Sequence, residues 1–310
     1  NFQPSEFVKI TTSLFLAKYL SIIQTDISKN RDLFFISLII TIPIFLISIQ
    51  PDPGSAIIFL AFLFPIFREG LNIRFLFHLF AIGIIFFLSL TIGFLITILL
   101  FLVFYISYVF YESRNKRKVK LSKFILTIFL YISLALSTNY VFENVLEQRH
   151  RDRINIILGK ELDTRGVGYN INQSKIAIGS GGFAGIGFLK GTQTKGDFVP
   201  RQHTDYIFST IGEEWGFLGS SLIIFLFSYL IIRIIQRAEK QPIHYKRVYC
   251  YCFASLLFMH FFINIGMSLG IIPTIGIPLP YVSYGGSSFL SFSIMFFIYL
   301  NFDSSRLKES

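Results

Sequence analysis

The chain has 310 residues, 53% of them hydrophobic, with 38 Phe and a mean hydropathy of +0.62. That composition excludes a soluble globular domain and indicates a polytopic membrane protein. The net charge of +10 gathers in short basic loops such as 114–120. Membrane proteins hold Lys and Arg there for topology, which argues against a nucleic-acid partner.

Reading from the first residue, the chain opens without Met and is expected to be a fragment. Apolar segments follow at 7–20, 33–49, 55–67, 75–90, 92–111, 124–145, 215–235, 248–272 and 288–302. Several approach the ~20 residues of a spanning helix. The predicted fold is all-α, a polytopic transmembrane helical bundle, with one large extracytoplasmic loop at 148–214. Segment 55–67 is short and follows Pro51-Asp52-Pro53-Gly54, so a tilted or re-entrant course is expected. His78 and His260 are ionisable residues within spans, each read as satisfying a local bond. Cys250 and Cys252 give neither a disulfide framework nor zinc spacing and read as packing residues. The Phe excess suits either a groove for a long lipid tail or plain contact with lipid.

Lys and Arg in 29–31, 68–74, 114–123, 237–247 and 306–308 place those segments in the cytoplasm. Loop 50–54, Thr91, loop 273–286 and the large insert then fall outside. Within the insert, residues 179–187 are dense in glycine but lack dinucleotide-fingerprint spacing. Two readings stay open there: a loop folded back into the protein, or a backbone surface that holds a ligand. The last outer loop carries Pro278, Pro280 and the pair Gly285-Gly286, which break helix and suit the wall of a polar cavity. Ser283, Ser287 and Ser288 offer hydroxyl donors to a ligand there, or serve caps and turns.

The insert ends in His203-Thr204-Asp205, where polar sequence turns apolar. Asp205 suits a general base; the alternative is N-capping of the next helix by Thr204 or Asp205. His203 would act as a base, orient a phosphate or make a structural hydrogen bond. Lys175, beside the glycine run, is the first candidate for an anion clamp, with Lys190 and Arg201 as alternatives; headgroup contacts explain each equally simply. Thr210 and Glu213 have capping-box spacing. Glu214 would support a basic partner or a metal.

Several runs resemble one family. They are Gln3-Pro4-Ser5-Glu6-Phe7, Gln50-Pro51-Asp52, residues 168–182, Lys190-Gly191-Thr192-Gln193-Thr194, His203-Thr204-Asp205 and residues 278–288. In order and spacing they resemble the SEDS family, which comprises RodA, FtsW and their sporulation relatives. The likeness covers nearly the whole chain and is greatest to the RodA branch. It implies a peptidoglycan glycosyltransferase of the bacterial inner (cytoplasmic) membrane. Such an enzyme polymerises lipid II on the outer face, here for elongation and rod shape, beside a class B penicillin-binding protein that acts as transpeptidase. It implies Asp205 as the essential acid. Ser180, Gln193 and Thr204, within the matched runs, join the substrate-binding candidates. No cofactor is certain, but a divalent cation (Mg or Mn) bridging Asp205 and a pyrophosphate is chemically compatible. Two rivals predict other behaviour: a lipid II flippase, and a non-catalytic scaffold for the penicillin-binding protein. The chain departs from the family pattern in lacking about three opening spans and in an extra hairpin over 75–111. Pro53 and Ser55 stand in place of the usual Leu and Thr, and Arg201 in place of the usual Glu.

Overall fold

The computed structural model describes residues 3–22, 27, 29–50, 52–114, 121–158, 167–196 and 198–309. Pro51, residues 115–120 of the basic loop and residues 159–166 of the insert lie outside the described residues. Those described form α1 (Pro4–Leu20), α2 (Asn30–Ile49), α3 (Pro53–Ile58), α4 (Leu63–Arg68), α5 (Ile73–Ile92), α6 (Phe94–Arg114), α7 (Leu121–Tyr140), α8 (Gln148–Ile157), α9 (Val167–Ser180), α10 (Thr192–Lys195), α11 (Ile207–Glu239), α12 (His244–Ser268) and α13 (Gly286–Glu309), with no strand among them. The all-α expectation holds. Asn30–Ile49, Ile125–Val145, Ile207–Glu239 and His244–Ser268 are each long and apolar enough to cross a membrane. The insert carries helix as well as loop, since α8, α9 and α10 fall within it.

The chain divides into two compact units, Asn1–Leu71 with Leu162–Ser310, and Asn72–Glu161. The predicted hairpin over 75–111 is therefore part of a unit that also holds α7 and α8. In that unit α5, α6 and α7 close around Ala81, Ile85, Tyr131 and Ala135. His78 bonds the Tyr131 hydroxyl, the local partner expected for it.

The larger unit is built on α12. Val248, Tyr249, Cys250, Cys252, Phe253, Leu256 and Leu257 are all buried, so the first half of this helix is enclosed by its neighbours, while Phe258 and Phe262 further on are exposed. The short segment α3–α4 runs through a 3-10 stretch at Phe59–Phe62, whose Phe59, Ala61 and Phe62 are buried. That stretch rises faster than an α-helix, so residues 53–68 reach about 26 Å, close to the hydrocarbon thickness of a bilayer. Pro53 starts α3 at a position where its missing N–H costs nothing, and Asp52 caps the helix by accepting from Ser55 N.

Polar contacts in this unit segregate to two ends. At one, Gln3 Nε2 donates to Asp52 Oδ2 (2.9 Å) and Gln3 N to Ser287 Oγ (3.1 Å). There a Cβ on Gly54 would overlap the Ile275 carbonyl, so only glycine permits the approach. At the other end Arg68 forms a two-toothed pair with Glu239, His244 bonds Glu69 (2.6 Å) and Lys246 donates to Ser305 (2.7 Å). Loops expected on opposite sides of the membrane thus lie at opposite ends.

Candidate functional site

The candidate site forms where the end of the insert meets the last loop. Arg201 has φ of 56°, the left-handed region, which turns the chain sharply. Its carbonyl accepts from Thr204 N (3.0 Å) and Asp205 N (3.1 Å). The next carbonyls are then held one after another. His203 O accepts from Tyr284 N (2.8 Å), Thr204 O from Ser283 Oγ (2.6 Å) and Asp205 O from Asn264 Nδ2 (2.9 Å). The backbone of the His-Thr-Asp run is fixed at three successive points. α11 starts after it, with Tyr206 at the N-cap, so neither Thr204 nor Asp205 occupies that position.

The Asp205 side chain is 12% exposed, and Arg201 Nη1 lies 3.5 Å from its Oδ2. The carboxylate rests against Gly276, which has φ of 75°, with Oδ2 3.5 Å from where a Cβ would stand. His203 is exposed and lines two grooves. One groove, of about 540 Å³, is walled by Phe188, Thr194, Lys195, Gln202, Thr210 and Glu214. The other, of about 770 Å³, runs along Ile207, Tyr284, Gly285, Gly286 and Phe289. One is mixed in polarity and the other has an aromatic lip, which together suit an amphipathic ligand.

The glycine run folds back on the protein. α11 breaks at Gly216 (φ 63°, ψ −156°), which leaves backbone groups without helical partners. The run supplies them: Ile186 N and Gly187 N donate to Glu213 O and Glu214 O, both at 3.0 Å. Phe217 N donates to Gly182 O (2.9 Å) and Leu218 N to Phe183 O (3.1 Å). A Cβ on Gly181 or Gly185 would overlap the carbonyl of Gly212 or Glu214, so the backbones meet only because these residues are glycine.

Other sequence candidates have definite places. Glu213 is fully buried and accepts from Gln193 N (2.7 Å) and Thr194 N (2.9 Å). The capping box expected from Thr210 is not formed, because Thr210 lies inside α11; Glu213 instead caps the short α10. Gln193 contributes its backbone to that contact, and Glu214 faces the smaller groove. Ser180 Oγ bonds back to Ala177 O (2.8 Å). Ser283 is engaged twice, donating to Thr204 O and accepting from Leu279 N (2.8 Å), so its hydroxyl builds the turn. Ser287 accepts from Gln3 N. Ser288 Oγ is buried with no hydrogen-bond partner among the described residues. Lys175 is exposed and packs over Gly270 beyond the end of α12, and neither groove has it in its wall. The groove-wall cation is Lys195, which the sequence reading passed over. No group of three His, Cys, Asp or Glu side chains suited to a metal occurs among the described residues.

The larger unit also holds a buried polar chain that the sequence pattern does not single out. Lys9 Nζ lies 2.7 Å from Glu6 Oε1 and 3.0 Å from His260 Nε2, and His260 Nδ1 lies 3.0 Å from Pro278 O. Nδ1–H must donate to that carbonyl, so Nε2 accepts from Lys9. Ser291 Oγ donates to the second Glu6 oxygen (3.2 Å). The signal was a Glu and a Lys three apart at the mouth of an apolar segment, one turn of helix. These groups satisfy one another, whereas a transport pathway needs ionisable groups lining a passage.

Fold and site together define a polytopic helical membrane protein with a carboxylate held at one end of its bundle. The family model FtsW/RodA/SpoVE, described as "Cell cycle protein", matches residues 1–96 and 95–308. The chain belongs to that family. It is 33% identical over 310 residues to peptidoglycan glycosyltransferase MrdB of Escherichia coli (strain K12), covering 98% of this chain and 69% of that protein. It is 32% identical over 315 residues to peptidoglycan glycosyltransferase RodA of Treponema pallidum, covering 92% of this chain and 71% of that protein. Among solved structures, a peptidoglycan synthase complex described for coordinating polymerization and crosslinking aligns with a TM-score of 0.65 at 24% identity, over 98% of this chain and 70% of that one. Rod shape determining protein RodA of Thermus thermophilus aligns with a TM-score of 0.53 at 22% identity, over 98% and 66%.

Proposed function

We propose that this chain is a peptidoglycan glycosyltransferase that polymerises lipid II into glycan strands, with Asp205 as its general base. The observation that carries the reading is the His-Thr-Asp turn. Its backbone is pinned at three carbonyls, its His203 lines two grooves, and two residues on it carries the nearly enclosed Asp205 carboxylate, which is in neither groove wall, in a chain of the FtsW/RodA/SpoVE family.

Glycan growth joins an acceptor hydroxyl to the anomeric carbon of a donor. Asp205 takes the hydroxyl proton as the oxygen attacks, and the bond from anomeric carbon to pyrophosphate oxygen breaks. The lipid pyrophosphate departs with the electron pair. It is already a good leaving group, so a cationic clamp suffices and no second carboxylic acid is required. The cations proposed for this clamp are Arg201, which pairs with Asp205, and Lys195 and His203 in the wall of the smaller groove, with Lys175 as a more distant contributor. Arg201 has two uses. It pairs with Asp205 in the resting arrangement, and its exposed guanidinium can turn to a pyrophosphate as the donor arrives. Asp205 is also the residue that would hold a Mg or Mn ion against pyrophosphate oxygens, where such an ion would neutralise leaving-group charge.

An outer, periplasmic site on the inner membrane is part of this proposal; it is supported by basic residues clustered at the end of the larger unit remote from Asp205, the end the positive-inside rule assigns to the cytoplasm. A class B penicillin-binding protein is the proposed partner, elongation the proposed role, and a lipid tail the occupant of the aromatic-lipped groove. The test is to mix purified protein with lipid II in detergent, where no second compartment exists, and to resolve the products on a gel. Polymer formation is expected. A flippase or a scaffold yields none.

A further inference from the structure

We infer that Asn264 is a positioning residue for Asp205, setting the carboxylate in place through its backbone. The inference rests on the reading of Asp205 as the base. Asn264 lies on α12 one turn before its C-terminal end at Ser268 and is fully buried. Its Nδ2 donates to two carbonyls from different loops, Asp205 O at 2.9 Å and Ile277 O at 2.8 Å. Two converging carbonyl oxygens demand an NH2 group, so the amide orientation is dictated by chemistry. Its Oδ1 has no hydrogen-bond partner among the described residues. A buried, unmatched oxygen is costly, and an apolar side chain would avoid it. What the amide provides in return is the double donation.

The two carbonyls matter because of where they sit. Ile277 follows Gly276, the residue against which the Asp205 carboxylate rests. One amide therefore fixes both the backbone that carries the carboxylate and the wall it leans on. One turn earlier on α12, His260 bonds the adjacent carbonyl, Pro278 O, so the loop is held at two consecutive residues from a single helix face. A base works only when it reaches the hydroxyl proton in line with attack, and a misplacement near 1 Å costs on the order of 100-fold in rate. Asn264 touches no reacting atom; it acts on kcat through Asp205.

The test compares Asn264→Leu and Asn264→Ser with the parent, all as purified full-length protein in the lipid II assay. The leucine leaves both carbonyls without a donor, whereas the serine hydroxyl can serve one. The expected result is a fall in kcat of about 10- to 100-fold for Asn264→Leu, with KM for lipid II within about twofold. Asn264→Ser should fall between that variant and the parent. Melting followed by fluorescence of Trp215 checks that each variant is folded; if the leucine variant is not, the serine variant is the one read. A folded variant with parental kcat overturns the inference, as does a loss that appears chiefly in KM. Asp205→Asn in the same assay separates the two ideas. If it keeps the parental rate, the base reading fails; if it is inactive while Asn264→Leu is fully active, only the positioning role fails.

Discussion

Glu213→Gln tests the account of how the insert is held to α11. The carboxylate is fully buried, and its two oxygens accept from Gln193 N and Thr194 N at 2.7 and 2.9 Å. Glutamine keeps the size but turns one oxygen into an NH2, which then faces a backbone N–H. One buried donor loses its acceptor, at about 1–3 kcal/mol, and the surviving bond loses its charge assistance. A total near 3 kcal/mol is expected, a drop in Tm of about 6–12 °C for a domain of this size. The chain has a single Trp, Trp215, two residues away and against Phe188 at 6.1 Å between ring centroids. Its fluorescence on heating in detergent reports this junction directly. Glu214→Gln is the control, because that side chain faces the groove. A Glu213→Gln protein melting within about 1 °C of the parent would refute the reasoning.

Two further outcomes follow from the site. Arg201→Ala removes a guanidinium that is 77% exposed, so stability should change by less than about 0.5 kcal/mol. Its KM for lipid II should rise several-fold if Arg201 reaches the pyrophosphate, and an unchanged KM speaks against that contact. Chelation with EDTA should lower polymerisation, and Mg or Mn should restore it; full activity in EDTA would show that Asp205 works without an ion.

Much of the fold was legible because it rests on signals one helix long. Apolar runs gave the spans, and Lys and Arg placed loops that do lie at opposite ends of the larger unit. The His-Thr-Asp run was recognisable as a likeness to a family, but how it is held was not. Its three carbonyls are gripped by residues 264, 283 and 284, far along the chain, and no local pattern links them to 203–205. The glycine run was ambiguous for a related reason. Its partner is a helix break at Gly216, and a lone glycine within an apolar segment does not announce one. Lys175 shows the converse hazard, since nearness in sequence to the glycine run brought it over Gly270 and not into either groove wall. Asn264 and Lys9 lay inside or beside apolar runs, where a single polar residue is easily passed over although it must have a partner.

The most direct measurement is the rate of glycan polymerisation from lipid II by purified Asp205→Asn protein. The amide has nearly the same shape and cannot take a proton at neutral pH. The account predicts a loss of at least about 100-fold with the protein still folded. A folded Asp205→Asn protein that makes polymer at the parental rate would contradict it.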